Sequence, residues 1–124
     1  MANNKQKFVA MAKIKNGSSK RDIDFLLKNE EEVIFTYQSI RDTVFFTNKK
    51  LITLDIQGLT GKKIEHMCIP YSKITSFSVE TAGAFDLDSG LKLWLSGLGE
   101  LSISFSRGTN IRKIITLIND SIEY

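Results

Sequence analysis

Residues 32–56, EVIFTYQSIRDTVFFTNKKLITLDI, decide the fold. Apolar and polar side chains alternate here with a period of two, the mark of strands with one buried face. EVIFTYQSI (32–40) reads as a first strand and Arg41-Asp42 as a tight turn. TVFFT (43–47), aromatic and β-branched, reads as a second strand. Asn48-Lys49 turns the chain again. In LITLDI (51–56), Ile52, Leu54 and Ile56 face one way, Thr53 and Asp55 the other.

The same period continues downstream. KIEHMCI (63–69) is a fourth strand, and Pro70, which has no N–H to give a ladder, ends it. ITSFSVETA (74–82) points Phe77 and Val79 inward. LKLWLS (91–96) does so with Leu91, Leu93 and Leu95, and LSISFS (101–106) with Leu101, Ile103 and Phe105. After Gly108 the period becomes helical. Thr109 or Asn110 can cap a helix on which Ile111, Ile114, Ile115, Ile118 and Ile122 form one apolar stripe. Seven strands, split four and three at Pro70, suggest two antiparallel sheets face to face, with the helix plugging an open corner.

The first 30 residues differ in charge. They hold seven basic and three acidic side chains, a net +4 against +3 for the whole chain, so the body is nearly balanced at −1. A balanced body argues against a nucleic-acid domain. We read 1–30 as a basic N-terminal helical segment and 31–124 as the main domain. Residues 3–15 form at best a poor helix, or a loosely docked arm, since the lysines are spread around the wheel. Asn16-Gly17-Ser18 is a break. Ser19 with Asp22 has capping-box spacing for a second short helix that presents Ile23, Leu26 and Leu27.

Several chemistries fit badly. GLTGKK (58–63) has its glycines only three apart and lacks the Ser or Thr of a phosphate-binding loop, so it reads as a hairpin tip with glycines at positive φ. DLDSG (86–90) lacks the later ligands of a calcium loop. His66 is the lone histidine and Cys68 the lone cysteine. Two strand neighbours without an orienting third group make a poor nucleophile pair, and a buried thiol is the expectation. We expect no enzyme activity, cofactor or metal. No stretch approaches the roughly 20 apolar residues that span a bilayer, and the expected location is cytoplasmic.

Arg41-Asp42, Phe46-Thr47-Asn48, GLTGKK, Ile69-Pro70-Tyr71, Ile74-Thr75, FSVETAG, FDLD and LKLW, in that order, make the chain resemble the bacterial pleckstrin-homology-like domain family over residues 32–122. The resemblance implies a mainly β fold of two near-orthogonal sheets, four and three strands, capped by a C-terminal helix. It also implies cyclic homo-oligomers, five-fold (a pentameric ring) where one domain is present, with a polar surface suspected of binding other proteins. The family's cellular role is not established. A eukaryotic-type phosphoinositide site uses several basic residues in a long loop between the first two strands; here that loop is only Ile40-Arg41-Asp42.

Polar residues on or beside strands, Arg41, Asp42, Asp55 and Glu80, are candidates for setting register between protomers. Trp94 points away from the face filled by Leu93 and Leu95, which suits an assembly anchor or a cover by the N-terminal segment. Alternatively, Lys49, Lys50, Lys62 and Lys63 form a basic rim that, with the N-terminal arm, touches an anionic membrane weakly.

Overall fold

The computed structural model describes residues 5–15, 20–58, 63–82 and 88–122. It contains eight strands and one α-helix: β1 (Lys5–Ile14), β2 (Val33–Gln38), β3 (Thr43–Thr47), β4 (Lys50–Gln57), β5 (Lys63–Pro70), β6 (Ile74–Glu80), β7 (Ser89–Leu95), β8 (Gly99–Phe105) and α1 (Ile111–Ser121). Short 3-10 turns lie at Lys20–Asp22, Asp24–Leu26 and Tyr71–Lys73. The mainly β class with one terminal helix is as expected, and so is the four-and-three split, β2–β5 against β6–β8.

The difference lies at the N-terminus. Residues 5–14 are a strand, not a helix or an arm. The sheet order is β5-β4-β3-β2-β1-β8-β7-β6, so β1 joins the two halves. It runs antiparallel to β2 and parallel to β8. Its apolar residues mislead because Phe8 and Met11 are three apart, a helical spacing. A bulge reconciles this: the register with β8 slips between them, and Ala10 sits at φ 54. One extra residue returns the strand to the same face. Phe8 and Met11 both enter the main core, at 3% and 0% exposure. Each burial contributes about 1.5–3 kcal/mol, far more than the preference of a poor helix.

The main core lies inside the curl of the sheet. Val44, Phe46, Leu51 and Ile69 fill it from one half; Leu91, Leu93, Leu101, Ile103 and Phe105 fill it from the other. Ile111, Ile114 and Ile118 of α1 close it, with Ile115 and Ile122 packed against its margin. Val79 faces inward opposite Leu91, as expected, yet stays 39% exposed at the end of β6.

A second, smaller cluster explains why β4 is buried on both faces. Phe45, Ile52 and Leu54 point outward, and Ile23 covers them, with Leu26, Leu27, Val33 and Ile56 at its edge. The segment thus presents its apolar residues as expected, from 3-10 turns and not from a capped helix. Residues 16–19, with the expected break and the Ser19 cap, lie outside the described residues.

Candidate interaction surface

Three of the sequence candidates meet at one corner. The β2–β3 turn is closed by the Ser39 N–H on the Asp42 carbonyl (2.9 Å) and the Asp42 N–H on Ser39 Oγ (3.1 Å). Ile40 stands at its exposed tip. Arg41 reaches across to donate to the Gly58 carbonyl, tying this turn to the end of β4. Gly58 has φ 78, as its place in a hairpin connection requires; residues 59–62 of that hairpin, Lys62 among them, lie outside the described residues.

The β3–β4 register, Thr43 opposite Leu54, carries Asp42 opposite Asp55. Burial pushes the Asp42 carboxyl up first. The charge of Asp55 and a hydrogen bond with it push it further, against the Ile56 amide and Arg41. Among the described residues no group of three or more His, Cys, Asp or Glu side chains is placed to hold a metal ion.

Among the described residues the lysines of the basic rim are split. Lys50 Nζ is drawn inward onto Glu31 Oε1 and the Leu26 carbonyl, each at 2.8 Å. Lys50 pairs with Pro70 at one end of the β4–β5 ladder, and Lys63 pairs with Gln57 at the other. Seven residues of strand put roughly 23 Å between them. Lys49 is exposed beside the Lys50 end. Sequence reasoning could not see this split, because adjacent lysines look alike until one acquires a buried carboxylate.

Glu80 and Trp94 belong to the other half of the sheet, on its outer face. Trp94 lies between Ser76 and Glu100 in register and is 36% exposed. Lys92 Nζ sits 5.9 Å from the centre of its ring, a cation–π distance. Among the described residues β1 does not cover it, because β1 lies in the sheet beside β8.

Glu80 walls a groove of about 480 Å3 together with Lys7, Val9 and Val79. Gly90, opposite Glu80, leaves the floor open. Val9 is 58% exposed at the β1 bulge. The sequence held no signal for this groove, which exists only because β1 docks beside β8.

His66 and Cys68 share the outer face of β5, as their alternation implies. His66 meets Phe25 edge-on at 5.3 Å between ring centres. Cys68 is exposed, contrary to the expectation of a buried thiol, on the last strand of the sheet. Partial burial and the charge of Glu31 still push its thiol up, against Lys50, which leaves little thiolate for nucleophilic work. Asp86 and Leu87 of the rejected calcium motif lie outside the described residues, and Asp88 is exposed.

A curled sheet, its halves of four and three strands antiparallel and joined through β1, plugged by a C-terminal amphipathic helix, has the architecture of a pleckstrin-homology domain. Over residues 3–122 the chain matches the family described as Bacterial PH domain, and it belongs to that family. It is 46% identical over 95 residues to the uncharacterized protein YjqA of Bacillus subtilis strain 168, covering 75% of this chain and 76% of that one. A crystal structure of a DUF1696 family protein with a pleckstrin-homology domain from Shewanella loihica PV-4 superposes with a TM-score of 0.78 and 38% identity, over 91% of this chain and 97% of the other. A pleckstrin homology domain from Shewanella amazonensis SB2B gives 0.65 and 40%, over 87% and 88%. No helix among the described residues is long and apolar enough to cross a membrane.

Proposed function

We propose that this chain is a non-enzymatic assembly module. Its copies close head to tail into a ring, with five the expected number, and the ring offers a shared polar surface to another protein. The observation that carries this is the open edge at β6. β6 ends the sheet order, and its flank carries exposed apolar side chains, Val79 on β6 and Val9 across the groove, with Trp94 on neighbouring β7. An edge strand with exposed apolar neighbours invites a second chain. β5, the other open edge, supplies a different surface for the head-to-tail contact that closes a ring. Binding to an anionic membrane through the hairpin lysines has less support, since Lys50 is engaged by Glu31 and Lys63 lies at the far end of the ladder.

Light scattering after size exclusion on the full chain tests this. A mass near five times the 14.0 kDa chain supports the ring. A monomer at every concentration tried would remove it.

A further inference from the structure

The geometry points to an oxyanion site at the N-terminus of α1, beside the end of β6. The ligand class is a phosphate group, free or carried by a lipid headgroup.

Three observations converge there. The first is the helix end itself. α1 runs for 11 residues, and Asn110 at its N-cap makes no side-chain capping bond. The Thr109 hydroxyl, the other expected cap, donates instead to the Ser106 carbonyl at 2.7 Å. Within the first turn, the Ile111 amide bonds the Thr109 carbonyl and the Lys113 amide bonds the Asn110 carbonyl. The amide of Arg112, second in the helix, has no carbonyl one turn back within the helix to reach. A helix start without a side-chain cap, at the positive end of the dipole, favours an anion.

The second is Ser89. It lies on the inner face at the start of β7, is only 6% exposed, and its hydroxyl has no hydrogen-bond partner among the described residues. It lines the same cleft as Thr81, Gly108, Thr109 and Arg112, a space of about 160 Å3. A buried hydroxyl without a partner is costly unless something accepts from it. A water's share of volume is about 30 Å3, so the cleft takes a tetrahedral oxyanion with a few waters and is too small for a nucleotide.

The third is charge. Among the described residues no carboxylate lines this cleft or the one on the other flank of the Ser106–Asn110 turn, which is bordered by Lys13, Arg107 and Lys113. With Arg112, four cations surround one helix end. Asp88, next to Ser89 in the chain, is exposed and lines neither cleft.

In this site the Ser89 hydroxyl and the Arg112 amide donate to the anion, and the exposed Arg112 guanidinium closes over it as a fork.

The test is a titration of the full chain with inorganic phosphate, followed by amide NMR, against sodium chloride at matched ionic strength. A saturable shift at the Ser89 and Arg112 amides is expected. Ser89→Ala and Arg112→Gln should each weaken it about tenfold, the worth of one hydrogen bond to a charged group. Both variants should fold, since the first removes an unsatisfied hydroxyl and the second alters an exposed side chain. A response no larger than that of chloride, or a saturable one that either substitution leaves intact, overturns the site. Vesicles of phosphatidylcholine with and without phosphatidic acid then separate the sources. Retention that needs phosphatidic acid and is lost in Ser89→Ala assigns the lipid headgroup. With the phosphate titration positive, no retention, or retention that survives Ser89→Ala, assigns the free anion.

Discussion

Lys50 Nζ lies 2.8 Å from Glu31 Oε1, and the Glu31 side chain is wholly inaccessible to solvent while that of Lys50 is 11% exposed. The pair ties the loop before β2 to the start of β4. Glu31 also accepts from the Lys28 amide at 2.9 Å and the Thr47 hydroxyl at 2.6 Å. Removing one partner leaves a buried charge alone. Lys50→Met should therefore cost about 3 kcal/mol in urea denaturation. A loss below 1 kcal/mol would mean that water replaces the ammonium easily.

The same carboxylate sets an acid limit. Burial pushes Glu31 up, but the Lys28 amide, Lys50 and the Thr47 hydroxyl outweigh it and hold it below its ordinary 4.5. A lowered folded value stabilises above the unfolded value, and that stability drains away as pH falls through the folded one. Thermal stability should drop below about pH 4.5 in the wild type. The drop should be shallower in Glu31→Gln, from a lower plateau at neutral pH.

Asp42 has the opposite sign. Its carboxyl is pushed above its ordinary 3.8 by burial and by Asp55, so ionising it opposes folding. Its favourable contribution is complete below the unfolded value and is lost as pH rises through the folded one. Asp42→Asn should be more stable than the wild type at pH 7, with the gain shrinking at pH 3. Melting curves at the two pH values decide it, and an equal difference at both would show that the Asp55 neighbour is irrelevant.

β1 should prove indispensable. Phe8→Ala removes a fully packed ring and should cost about 3–5 kcal/mol. Ala10→Gly relieves a left-handed backbone and should gain up to about 1 kcal/mol. Deleting residues 1–28 removes a central strand and the Ile23 cover, so that product should lack a cooperative melt. A truncated chain that melts as sharply as the full one would make β1 an accessory.

If the β6 edge assembles copies, Val79→Lys together with Trp94→Glu should reduce the scattering mass to that of one chain. Both side chains are exposed at about two-fifths of their area, so the melting temperature of the monomer should change little. A doubly substituted protein with an unchanged mass places the contact elsewhere.

The period of two through residues 32–56, the stop at Pro70 and the isoleucine stripe of α1 made the fold class readable, because each is a local rule about which side chain faces which way. The corner of Arg41, Asp42 and Asp55 was half readable: the residues stood out as polar beside strands, and pairing brought them together. The groove beside Val79, the split of the lysines and the orphaned Ser89 were not readable, since each depends on a neighbour distant in sequence.

By itself the sequence determined the alternation, the turns and the closing helix, and through them the family. The tertiary structure decided the fate of residues 5–14. Phe8 and Met11 have helical spacing, and only the bulge at Ala10, paired against β8, turns both onto the core. Burial against a partner strand about a hundred residues away outweighs local preference, and no local pattern records a partner.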